Sequence, residues 1–192
     1  MSFNALPAKQ GLYDPKNEHD ACGVGFIAHI RGQKSHDIIC KGLEILKNID
    51  HRGAVGADPL AGDGAGILIQ TPDAFLRAEA AALGVTLPEQ GQYGVGMLFL
   101  PRNPGHRAAC EKIVEDAVRN EGQTLLGWRD VPVDNAGLGE TVKAIEPFIR
   151  QVFVGRGENC KGQDGFERKL FVIRKQIDNK IRDLDISEGR MF

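Results

Sequence analysis

Ala21-Cys22-Gly23-Val24-Gly25-Phe26-Ile27-Ala28 is a short apolar run, punctuated by glycine, that opens on a cysteine. The 21 residues before it are polar and turn-forming and show no periodicity. The run itself reads as a strand, Gly23 to Ile30, whose glycines keep bulk away from the thiol that starts it. If the leader is removed, Cys22 becomes the mature N-terminus. A free α-amine has a reference pKa of about 7.7–8.0, so it can take the proton of its own side chain at neutral pH. One residue then supplies both nucleophile and base.

Outward from this run, Arg31 to Lys34 forms a turn and Ser35 is placed to cap a helix. That helix sets Ile38, Ile39, Leu43, Leu46 and Ile49 at helical spacing, with Asp37, Lys41, Glu44 and Lys47 turned to water. The periodicity stops at Asp50-His51-Arg52-Gly53. Gly53, Gly56, Pro59, Gly62, Gly64 and Gly66 follow closely and describe a long, specifically bent loop, a feature more often functional than not inside a compact domain. Arg52 is the candidate binding residue of this loop; the alternative is an exposed guanidinium. His51 can assist it, although a lone loop histidine is more often a packing or hydrogen-bonding residue. Gly62-Asp63-Gly64-Ala65-Gly66 fails as a dinucleotide fingerprint. Its sixth place is Ile67, and it leads into a strand, Ala65 to Gln70, where the fingerprint joins a strand to a helix.

Further along, Thr71 and Pro72 open a helix that ends near Gly84. Tyr93 to Leu100 is a strand, Gly105 to Asn120 a helix stopped by Gly122, and Leu125 to Val133 a strand that Pro132 pushes toward a sheet edge. A short helical piece precedes Pro147, and Phe148 to Val154 is a strand. Phe166, Leu170, Ile173, Ile177, Ile181 and Leu184 then mark the apolar face of the last helix. Periodicity alone gives a mixed α and β class.

Composition removes several functions. The chain has 24 basic and 26 acidic residues, which is no electrostatic footprint for nucleic acid. It has no apolar stretch near the roughly 18 residues of a membrane span, and its leader lacks the apolar core of a secretory signal. Four cysteines, at 22, 40, 110 and 160, are irregularly spaced, which argues against a structural zinc site or a disulfide framework and for a reducing, cytoplasmic setting. Cys40, Cys110 and Cys160 read as packing or surface thiols.

Ala21-Cys22-Gly23-Val24-Gly25-Phe26, His51-Arg52-Gly53-Ala54, Asp58-Pro59 and Gly62-Asp63-Gly64-Ala65-Gly66-Ile67-Leu68 together resemble the start of the class II glutamine amidotransferase domain of the glutamate synthases. The likeness is close from Cys22 to about Gln70 and looser to Phe192. It implies a pro-segment at 1–21 and an amidotransferase domain at 22–192. The implied fold is α+β, the four-layer α-β-β-α sandwich of the N-terminal-nucleophile hydrolases, incomplete at the C-terminus. Cys22 would attack the side-chain amide of L-glutamine, releasing ammonia and leaving glutamate, with Arg52 enclosing the substrate. The resemblance also implies a larger enzyme in which the ammonia converts 2-oxoglutarate to glutamate. That enzyme uses FMN, a 3Fe-4S cluster and NADPH, with FAD on a small subunit that partners the large one; none of these cofactors, and no metal, is expected in this segment.

One departure matters. The family draws its oxyanion donors largely from an Asn-Gly pair, and no Asn-Gly dipeptide occurs in these 192 residues. Each such donor is typically worth about 2.7–4 kcal/mol in the transition state. A second reading follows, that of a non-catalytic fragment lacking the oxyanion hole and the remaining substrate-binding residues. The nucleophile's first requirement is testable by itself. Mass spectrometry of active, full-length enzyme should find Cys22 at the N-terminus; a retained Met1 leader would eliminate the α-amine as base.

Overall fold

A computed structural model of the chain describes residues 9–11, 23–49 and 64–182. It separates into two compact units, residues 1–70 with 137–142 and residues 71–136 with 143–192.

The first unit is built around helix α1 (His36–Asn48). The Ser35 hydroxyl accepts from the Ile38 amide at 3.4 Å, as the sequence leads one to expect. Asp37 in the first turn and Lys47 in the last match the helix dipole. The flanking segments 23–30 and 64–70, expected as strands, are assigned to neither strand nor helix. A strand exists only through a partner's hydrogen bonds, and among the described residues these segments have none. Val24, Phe26, Ile30 and Leu68 stand exposed on them.

The second unit runs α2 (Asp73–Ala82), β1 (Tyr93–Leu100), α3 (Pro104–Asn120), β2 (Thr124–Asp130), α4 (Glu140–Ile145, which crosses the boundary between the units), β3 (Phe148–Gly155) and α5 (Gly162–Arg182). Pro72, expected inside α2, stands at its cap position without a capping side chain. Asp73 takes over at that end, accepting from the Tyr93 hydroxyl at 2.7 Å and pairing with Arg77 at 3.0 Å. Burial, then the Asp73 carboxylate beside it, pushes the Tyr93 phenol up to about 12. Asn103 caps α3 by accepting from Gly105 and His106, with Pro104 in the first turn. Gly122 then leaves the helix at φ +68°.

The sheet is antiparallel with order β1-β3-β2. Val152, Phe153 and Val154 of β3 are buried in succession because helices cover both faces of the sheet there; in a strand with one wet face they would alternate. Val152 and Val154 pack with Val114, Ala117 and Val118 of α3 and Phe166 and Ile173 of α5. Phe153 faces the other way, with Tyr93 and with Leu76 and Ala80 of α2. β2 stops at Asp130, short of the expected Val133, ahead of Pro132. Its register shifts between Leu125 and Gly127. Leu125 and Trp128 pack on the α3–α5 side, and the extra residue puts Leu126 and Gly127 both on the α2 side. No helix among the described residues is long and apolar enough to cross a membrane.

Just past the end of α3, Glu121 accepts from Lys169 at 2.7 Å and from Gln176, fastening α3 to α5. The Lys169 ammonium, then the Gln176 amide, hold the Glu121 carboxyl below the usual glutamate range. An unfolded glutamate titrates near about 4.3. The stabilisation is therefore complete above that pH and lost as pH falls through the lower folded value. Glu121→Gln should accordingly flatten the fall of Tm between about pH 6 and about pH 3. An unchanged slope in thermal melts would show that this contact does not hold the two helices.

Candidate active site

Cys22 and Arg52, the two site residues read from the sequence, lie outside the described residues, as does His51. The structure does describe the frame to which they are covalently attached. Gly23 and Gly25 both lie against α1 and its cap. A Cβ added at Gly23 would come within 2.9 Å of Ile49 Cδ1, and one added at Gly25 within 2.4 Å of Ile45 Cγ2. Two residues of extended chain advance about 6.6 Å and four residues of helix about 6 Å. Glycines spaced by two can therefore lie along isoleucines spaced by four, with the backbone in direct contact with the helix. Val24 and Phe26 alternate away from it and are 87% and 91% exposed.

On the same helix, a Cβ added at Gly42 would approach Ile67 Cδ1 at 3.0 Å, so segment 64–70 also rests on α1. Ile49 caps the C-terminus of α1, its amide donating to Ile45 and Lys47. Consecutive Cα atoms are about 3.8 Å apart. Cys22 is thus one such step from Gly23, and Arg52 three from Ile49, the residue on which Gly23 packs.

The other thiols have different surroundings. Cys110 is completely buried on α3, and burial pushes its thiol up. Cys160 is half-buried, its Sγ 3.6 Å from Oε1 of Gln123, a carboxamide that also accepts from the Gly157 amide. Cys40 is exposed on α1, its Sγ 3.4 Å from His36 Nδ1. Among the described residues, no three histidine, cysteine, aspartate or glutamate side chains gather as metal ligands. Gly64, with φ +84°, leads into the irregular 64–70 segment and not into a helix N-terminus, so the rejected phosphate-loop reading gains nothing. A shallow cleft of about 310 Å³ in the second unit is lined by Glu79, Trp128, Arg129, Asp130 and Arg150. Its arginines are already paired, Arg129 with Glu79 and Arg150 with Glu111 and Asp130.

Sequence reasoning singled out the cysteine and the glycines but missed what the glycines are for. The signal was present: glycines at 23 and 25 answer isoleucines at 45 and 49.

The family of class-II glutamine amidotransferases matches residues 22–192, so the match opens on Cys22. The glutamate synthase [NADPH] large chain of Bacillus subtilis is 48% identical over 179 residues, which cover 93% of this chain and 12% of the relative. The glutamate synthase [NADH] of Saccharomyces cerevisiae is 40% identical over 187 residues, covering 93% of this chain and 9% of the relative. The ferredoxin-dependent glutamate synthase 2 of a Synechocystis strain is 40% identical over 166 residues, covering 86% and 11%. This chain thus spans about a tenth of the length of these relatives.

The glycine contacts make a direct test. Gly25→Ala should destabilise the chain by about 1–3 kcal/mol through overpacking, read by urea unfolding followed by circular dichroism. Adding Ile45→Ala should recover part of that loss, giving a coupling of at least about 0.5 kcal/mol. Simple additivity would mean that the segment does not lie on α1.

Proposed function

The chain belongs to the class-II glutamine amidotransferases, and from that membership we propose that it forms the glutamine-hydrolysing part of a glutamate synthase large chain. The observation that carries the reading is the start of the family match at Cys22; in this reading residues 1–21 are a pro-segment and 22–192 the amidotransferase domain. Removal of 1–21 frees the Cys22 α-amine. The amine takes the thiol proton and the thiolate attacks the side-chain amide carbon of L-glutamine. The tetrahedral intermediate collapses, the amine returns the proton to the departing nitrogen, and ammonia leaves. Water then cleaves the γ-glutamyl thioester, giving glutamate and restoring the thiol. Arg52 encloses the bound glutamine.

Supporting this assignment, the thiols at 110 and 160 are committed to packing. A four-layer α-β-β-α sandwich is the fold we propose for the whole domain. The three-stranded sheet supports it, because α3 and α5 cover one face, whereas Met97 and Phe99 stay exposed on the face that α2 covers in part. A second sheet stacked there would bury them. FMN, the 3Fe-4S cluster and NADPH, with FAD on the small subunit, belong in this reading to the rest of a cytoplasmic enzyme. No step of glutamine hydrolysis passes through those groups. The non-catalytic reading, resting on the missing Asn-Gly pair, is not better supported than the glutamine-hydrolysing one.

In the full-length enzyme, Cys22→Ala should lower glutamine-dependent glutamate formation by at least about 10³-fold. Synthesis from added ammonia should persist, since the second reaction does not use this thiol. Normal glutamine turnover by the variant would refute the assignment.

A further inference from the structure

The sheet of the second unit is a split β-α-β arrangement. β1 and β2 run parallel, joined by α3, and β3 lies between them antiparallel to both. α3 and α5 lie on the same face, since both pack against Val152 and Val154. Relative to the step from β1 into α3, the step from β3 into α5 therefore starts from an opposite strand direction under a helix on the same face. A two-fold rotation about the sheet normal relates the two steps. The β1-α3-β2 crossover moves from β1 toward β2. A crossover of the same hand from β3 through α5 must move the other way, toward and past β1. Crossovers of this kind are right-handed in roughly 98% of cases. Any strand that continues from α5 in this sheet thus belongs beside β1, parallel to β3 and antiparallel to β1.

Packing agrees with this direction. α5 sits over β1, where a Cβ added at Gly94 would come within 2.5 Å of Leu170 Cδ1. α3 sits over β2, where the Trp128 indole donates to Glu115 at 3.2 Å. The two outer strands also differ as edges. β2 carries a bulge and two charged residues, Arg129 and Asp130, with Pro132 just beyond, all devices that discourage further pairing. β1 is Tyr93-Gly94-Val95-Gly96-Met97-Leu98-Phe99-Leu100, without charge or proline, and keeps one register with β3 along its whole length. Among the described residues nothing pairs with its outer side.

We infer that the outer edge of β1 is a strand-docking site, occupied by the polypeptide that continues past Arg182 and paired antiparallel to Tyr93–Leu100. The inference rests on the reading that this chain is part of a longer polypeptide, but not on its chemistry; the test needs no turnover and can use the Cys22→Ala protein. In the full-length polypeptide, hydrogen exchange should protect the amides of 93–100 as fully as those of the central strand 148–155. In 124–130, about half the amides should exchange quickly, because an edge strand directs alternate groups outward. A 93–100 segment that exchanges like 124–130 would overturn the inference. So would protection that is lost on dilution, which would mean that a second copy is the occupant.

Discussion

The second unit depends on β3 being bonded on both sides. A strand so placed has no edge, and with α3 and α5 on one face and α2 on the other its second half has no wet face either; the run Val152-Phe153-Val154 meets that demand with three consecutive apolar side chains. Each such burial contributes about 1.5–3 kcal/mol. The alternation of the pleat divides them, valines to α3 and α5, phenylalanine to α2. Polar groups then fix the helices where the valines place them. Gln123 is buried, yet both ends of its carboxamide are used: its nitrogen donates to the Glu121 carbonyl and to Asn159, and its oxygen accepts from the Gly157 amide. A buried carboxamide left half-paired would cost about 1–3 kcal/mol. Full pairing instead joins the end of α3 to the loop that leads into α5.

In the first unit the controlling constraint is steric. Backbone can lie directly on a helix only where it carries no side chain. Gly23 and Gly25 meet that condition at two successive contacts, against Ile49 and Ile45. In the proposed reading the residue before Gly23 is the nucleophile, and in sequence Arg52 follows three residues after Ile49, on which Gly23 packs. The apolar side chains alternate outward as a consequence. The exposure of Val24 and Phe26 thus has the same cause as the contact of the glycines.

Helices were the most legible elements. Gly122 marks the end of α3, and the steps of four and three from Phe166 to Ile177 announce α5, because helix stops and helical period are local properties; the Asn103 cap went unread. β1 and β3 were legible as apolar runs between turns, but the order β1-β3-β2 was not, since pairing is a long-range choice with no local signature. The bulge at Leu126 was invisible for the same reason; only the neighbouring Gly127 hinted at it. Segments 23–30 and 64–70 read as strands on composition, yet they make no ladder among the described residues. Cys22 and Arg52 were legible as a motif, and the frame carrying Cys22 was legible in principle, as paired spacings of glycine and isoleucine.

Cys40 shows why a thiol and a base are not sufficient. It is exposed, and an imidazole nitrogen lies 3.4 Å from its sulfur, so two parts of a nucleophilic site are present. It nevertheless projects from the middle of a regular helix, where each nearby amide already donates to the carbonyl four residues back. No donor remains for an oxyanion, and a convex surface does not exclude water. The Gly23–Ala28 stretch is different: it makes no ladder among the described residues, and at Gly23 and Gly25 its main chain lies against Ile49 and Ile45. What separates the two cysteines is therefore the backbone next to each thiol, hydrogen-bonded within the helix around Cys40 and packed on α1 without a ladder after Cys22.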